Sequence, residues 1–149
     1  MDSAQQTSII ERIIDGVEKR IPQYLANPVD LKITNGNLAI CIIDGSGRIH
    51  ARMFGTDKIA LRRTYGIAWT KASQVWITRI ATGQYEKMVF SGEIDPNQFG
   101  IQHPDFIGWE GGQPIDLDDT TWIAAGFSGI RGIYDLEIVR KAADEVLGK

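Results

Sequence analysis

Between residues 38 and 54 the chain reads LAICIID-GSG-RIHARMF, two β-rich runs hinged on Gly45-Ser46-Gly47. That pattern predicts an antiparallel hairpin with a short glycine-containing loop. A hairpin with an apolar face must bury it against another layer, and the flanking segments read as that layer. Upstream, Ile9, Ile10, Ile13, Ile14 and Val17 recur at three- and four-residue spacing, with Glu11, Arg12, Asp15, Glu18 and Lys19 on the other face. This is an amphipathic helix, expected to end or break at Pro22 or at the NPVD of residues 27 to 30. Downstream, from about Ile59 to Ile80, Tyr65, Ala68, Trp69, Ala72, Val75 and Trp76 form a second helical stripe.

The alternation then repeats. A short helix is expected over residues 82 to 90, and residues 91 to 111, rich in Gly, Pro, Asp and Asn, read as a long irregular connection. Connections of that length within a compact domain are usually lids or binding loops. QPIDL, a turn at Asp118-Asp119-Thr120 and TWIAAGFSG form a second predicted hairpin. The last segment is a helix whose apolar face is assigned to Ile133, Leu136, Val139, Ala143 and Val146. No repeat or linker interrupts the pattern, so the expectation is one α+β domain over residues 1–149, with helices packed on a mostly antiparallel sheet.

Composition narrows the function classes. A hydrophobic fraction of 43% with 23% charged residues is that of a globular chain. A net charge of -3 argues against a nucleic-acid partner, which needs clustered positive charge to displace counterions. The single cysteine, Cys41, lies among apolar residues and reads as a small buried hydrophobe. No apolar run reaches the length of a membrane span and the N-terminus lacks a signal-peptide pattern, so no membrane partner and a cytoplasmic location are expected.

Several residues carry possible chemistry. His103 precedes Pro104 in the long connection, and Asp105 or Glu110 would orient its imidazole for proton transfer. Trp69 and Trp76 fall on one side of their helix, where a flat ligand would stack, with Phe106 and Trp109 closing over it. Tyr65 shares that helix. Ser128 and Gly129, at a strand end before a helix, would offer backbone N–H groups and the helix dipole to an anion, and Arg131 adds a fork for a carboxylate. Strand alternation puts Arg52 in a row with Arg48 and His50, either a cationic wall or a solvated face. Lys71 reads as a helix-surface or subunit-contact residue. No cluster has zinc spacing and no Gly-x-Ser-x-Gly elbow or phosphate loop is present, so no metal ligand is assigned.

Four stretches, in this order, resemble the GlcG/HbpS-like family, which includes haem-binding proteins and the PduO C-terminal domain. They are IIDGSGRIHARMFGT, WTKASQVW with its Lys71-Ala72 pair, GGQPI before the second hairpin, and AAGFSG before the last helix. The resemblance runs over roughly residues 5 to 147. It implies a profilin-like antiparallel sheet flanked by helices, a homo-oligomer of dimers or larger rings, and haem as a possible cofactor. Three readings of function follow. The chain binds a small molecule, haem or another flat anionic aromatic compound. Alternatively it is a cofactor-independent lyase, hydratase or isomerase of a small organic acid, with His103 as acid or base. The third reading is a non-catalytic accessory subunit.

Overall fold

The computed structural model describes residues 1–101 and 106–149. Its elements run α1 (Ser3–Leu25), α2 (Pro28–Thr34), β1 (Leu38–Ile43), β2 (Ile49–Phe54), α3 (Lys58–Thr78), α4 (Thr82–Phe90), a 3-10 turn (Pro96–Gln98), β3 (Gly112–Asp116), β4 (Trp122–Ser128) and α5 (Gly132–Leu147). The four strands form one antiparallel sheet in the order β2-β1-β4-β3. This is the α+β arrangement the hairpin pattern predicts.

The two faces of the sheet differ in side-chain size, and that difference sets the layers. Leu38, Ile40 and Ile42 of β1, Ile123 and Phe127 of β4 and Ile115 of β3 form the large-residue face. It packs against Ile10, Ile13, Ile14 and Val17 of α1 and against Ile138, Val139 and Ala142 of α5. Each such buried aliphatic or aromatic side chain contributes about 1.5–3 kcal/mol relative to leaving it in water. On the opposite face Ala39 and Cys41 of β1 meet Ala68 and Ala72 of α3. Gly126 belongs to that face too. A Cβ there would overlap the Ala68 carbonyl oxygen and lie 2.6 Å from the Ala72 nitrogen. Small residues in AAGFSG therefore let α3 lie directly on the strands.

Three expectations are refined. Helix α1 passes through Pro22 and ends at Leu25, just before the NPVD segment as the second alternative has it, and that segment opens α2, with Asn27 accepting from the Val29 N–H at 3.0 Å and Pro28 at the first helical position. Helix α5 buries Val139 and Ala143 and packs Val146 on the core as assigned, but Ile133 is 63% exposed and Asp135, Ile138 and Ala142 join the buried face. His50 and Arg52 do share a face, but it is the one α1 covers. Arg52 pairs with Asp15 at 2.8 Å, Glu11 at 3.1 Å and Glu18 at 3.5 Å.

Candidate functional site

Helix α3 separates two clefts. The first, about 750 Å³, opens between α3 and the start of α5. Thr64, Ile67 and Lys71 line it from α3, Trp109 and Glu110 from the long connection, and the turn from Ser128 to Gly132 from the end of β4. Lys71 and Asp135 also line it, and both side chains are almost fully buried, at 2% and 3% exposure. The Lys71 ammonium donates to Asp135 Oδ2 at 3.0 Å and to the Phe127 carbonyl at 2.9 Å, while Asp135 Oδ1 accepts from the Ile130 N–H at 3.3 Å.

Burial dominates the chemistry of this pair. Desolvation pushes the Asp135 carboxyl up to about 7 against the opposing pull of Lys71. It pushes the Lys71 amine below the ordinary lysine range, with Asp135 and Glu110 acting the other way. Both shifts favour the neutral partners over the charged ones. Two backbone features hold the pair in place. Asp135 lies in the first turn of α5, where the helix dipole favours a carboxylate. Gly111, at φ +129, brings its backbone so close that a Cβ would lie 2.6 Å from the Lys71 nitrogen.

At the mouth of the same cleft Arg131 caps the buried carboxylate of Asp30, with Nε to Oδ1 at 3.0 Å and Nη2 to Oδ2 at 2.9 Å. Those bonds hold the Asp30 carboxyl below its ordinary value despite burial. The Arg131 guanidinium also lies over the Tyr134 ring, 4.7 Å from its centre.

The second cleft, about 520 Å³, lies on the other side of α3 and is lined chiefly by Trp69, Trp76, Ile77, Ile43 and Ile49. Trp76 is anchored by its indole N–H, which donates to the Asp44 carbonyl at 3.0 Å. Asp44 organises the β1–β2 turn: Oδ1 accepts from the Ser46 N–H at 2.9 Å, the Ser46 hydroxyl at 2.7 Å and the Arg48 N–H at 3.0 Å. Burial raises its carboxyl, but those bonds and His50 at 3.3 Å outweigh it and hold it below the ordinary range.

No family model and no curated protein sequence matches the chain. Solved structures do. A Klebsiella pneumoniae protein, ORFY, of the DUF336 family superposes with a TM-score of 0.65 at 18% identity, over 95% of this chain and 88% of that one. A PduOC:haem complex superposes with a TM-score of 0.63 at 15% identity, over 91% and 90%. HbpS of Streptomyces reticuli, as a double mutant, gives 0.57 at 16% identity, over 89% and 85%. The chain has the HbpS-like fold. That is the fold the four sequence stretches imply, and the PduOC and HbpS structures are of proteins the resemblance names.

The HbpS-like sheet divides the sequence candidates between the clefts. Trp109, Glu110, Ser128, Gly129 and Arg131 line the first cleft, and Trp69 and Trp76 line the second, so the single pocket assembled from the sequence is two. Arg52 lies in neither, held by the α1 carboxylates on the far face of the sheet. Tyr65 packs on the small-residue face and shares a hydrogen bond with the Cys41 thiol, which burial pushes up to about 12. Phe106 packs edge-on against Tyr85, with ring centres 5.7 Å apart, in a separate cluster under the long connection. His103 and Asp105 lie outside the described residues.

Lys71 is the main correction to the sequence reading, being buried rather than on the helix surface. Its position carried the signal: Ala68, Lys71, Ala72 and Val75 follow the i, i+3, i+4, i+7 spacing of a core-facing stripe. Proteins hold haem iron with His, Cys, Met or Tyr, and the described lining of neither cleft contains any of these. The described residues therefore do not fit an iron-ligating haem site.

Proposed function

We propose that this protein binds a small organic anion with an apolar or aromatic body, in the cleft between α3 and the start of α5. The observation that carries this reading is the Lys71–Asp135 pair, buried at the edge of an open cavity. Withdrawing two charges from water costs several kcal/mol per ion, and a buried pair adds little net stability. Such a pair beside a cavity marks a functional site better than a folding device. Ile67, Trp109 and Ile133 supply apolar walls for the ligand's body. Arg63, also in the lining, has no ion-pair partner among the described residues and is the group to meet a carboxylate.

Charge balance refines the ligand class. Arg63 and Arg131 are offset by Asp30 and Glu110, and the Lys71–Asp135 pair is neutral in sum. The cleft thus favours a singly charged acid over a polyphosphate. Calorimetric titration with a panel of aromatic and aliphatic monocarboxylates tests the reading. Saturable binding weakened about tenfold by Arg63→Gln, the loss of about 1.4 kcal/mol, is expected. Absence of saturable binding across the panel removes it.

A second reading is favoured by the exposed tryptophans. We propose that the Trp69/Trp76 cleft accepts a flat aromatic molecule, and the haem complex of the PduOC neighbour supports it. Haemin would then bind by stacking, without an iron ligand from the described lining. Titration should show a Soret band whose shift responds to Trp69→Ala. A spectrum identical to free haemin excludes haem.

A further inference from the structure

We propose that Lys71 forms a covalent imine with the carbonyl carbon of a small oxo acid held in the cleft between α3 and α5. This rests on the anion reading above and names the substrate class for that site.

The geometry supplies each part. An amine attacks a carbonyl only when neutral, and an ordinary lysine is almost wholly protonated at neutral pH. Here the amine lies 3.0 Å from Asp135, so a single proton transfer to Oδ2 yields a neutral amine and a neutral acid. That transfer removes two buried charges at once, and the desolvation of both groups favours it against their mutual attraction. Glu110 from the long connection opposes it by favouring the ammonium, but Glu110 is exposed and its effect is screened by solvent. Asp30, packed behind Asp135, further favours the neutral acid.

The bond changes balance without an outside oxidant or reductant. The Lys71 lone pair attacks the carbonyl carbon, the carbonyl π electrons move to oxygen, and that oxygen takes the proton held by Asp135. The cationic nitrogen of the resulting carbinolamine returns one proton to the Asp135 carboxylate, Asp135 passes that proton to the hydroxyl, and the nitrogen lone pair forms the C=N bond as water leaves, giving a protonated imine beside the Asp135 carboxylate. The products are the imine and one water. Arg63 lies eight residues before Lys71, about 12 Å along the helix axis. The acid end of the substrate therefore reaches toward Arg63 with its carbonyl several bonds away, as in succinic semialdehyde.

The experiment treats the intact protein with succinic semialdehyde and cyanoborohydride at neutral pH, then maps the reduced adduct by peptide mass spectrometry. The other lysines are exposed and act as internal references. A lowered pKa raises the neutral fraction of an amine, so labelling of Lys71 ahead of the exposed lysines is expected. Asp135→Asn leaves the amine no less neutral, because the Asp135 carboxylate favours the ammonium, but it removes the acid that protonates the departing oxygen and should slow labelling at Lys71 alone. Butyrate titration, which needs no carbonyl, separates the two claims. Butyrate binding with adducts confined to exposed lysines overturns the imine and leaves the anion site standing. Absence of both overturns the imine together with the anion reading.

Discussion

The two clefts share helix α3 and differ in what the helix offers to each. Toward α5 it presents Thr64, Ile67 and Lys71, and the walls add a second buried charge and two arginines. Toward the β1–β2 turn it presents Trp69, Ser73, Trp76 and Ile77, with no charged residue among the described residues of the lining. The difference shows how one helix can serve two chemistries, because faces about 100° apart per residue meet different partners. A charge on the first side is held by designed contacts, whereas the second side depends on aromatic surface left partly open to water.

Breaking the charged cleft should have the largest effect. Lys71→Met removes the donor shared by Asp135 Oδ2 and the Phe127 carbonyl and leaves both buried acceptors unpaired, at an expected cost of about 2–5 kcal/mol in denaturant unfolding. Adding Asp135→Leu should recover most of that loss, since an apolar pair of similar volume needs no compensation. The pair also predicts a pH slope. An acid raised from its ordinary 3.8 to about 7 in the fold binds its proton more tightly when folded. Its contribution is fully present below about 4 and is lost as pH rises through about 7. Lys71, lowered in the fold, acts with the opposite sign, its contribution being lost as pH falls through its folded value. Between about pH 4 and 7 the wild type should therefore lose stability relative to the double variant. Equal slopes in the two proteins would remove the perturbed Asp135 from the comparison.

Glycine substitutions sharpen the same contrast. Gly111→Ala puts a Cβ 2.6 Å from the Lys71 nitrogen and 2.6 Å from the Phe127 oxygen, at a φ of +129 that side chains avoid. A loss of about 3 kcal/mol is expected from crowding and backbone strain. Gly66, inside α3 with nothing within 4 Å of its Cβ position, is the control. Gly66→Ala should instead stabilise by about 1 kcal/mol through helix propensity. Thermal unfolding of the two variants side by side reads both signs.

The first hairpin was legible because Gly45 and Gly47 mark a local turn between two β-rich runs. The α3 stripe was legible from its three- and four-residue spacing, which is also local. What stayed hidden depends on contacts between distant residues. Lys71 and Asp135 are 64 positions apart, and each occupies a slot where the helical period calls for an apolar side chain. A polar residue there reads as surface until its partner is known. The exposure of Ile133 goes with this, since Asp135 takes the buried position in the first turn of α5. The split of one expected pocket into two was likewise unreadable, because Trp69 and Trp109 are both aromatic yet face clefts on opposite sides of one helix.

The smallest expected effect on folding lies in the second cleft. Trp69 is 44% exposed and makes no side-chain hydrogen bond among the described contacts, so Trp69→Gln should change unfolding free energy by no more than about 1 kcal/mol. Its effect on recognition should be larger than its effect on stability. An apolar fluorescent probe such as anilinonaphthalene sulfonate should bind the wild type with enhanced emission, and the variant should lose most of that signal. Trp76 differs because its indole N–H bonds to the Asp44 carbonyl, and replacing it also loosens the β1–β2 turn. Equal probe emission from wild type and Trp69→Gln would exclude this cleft as an aromatic site. A fall in assembly mass in Trp69→Gln, read by light scattering, would instead assign the tryptophan face to contact with a second copy. The charged cleft would then stand as the chain's single small-molecule site.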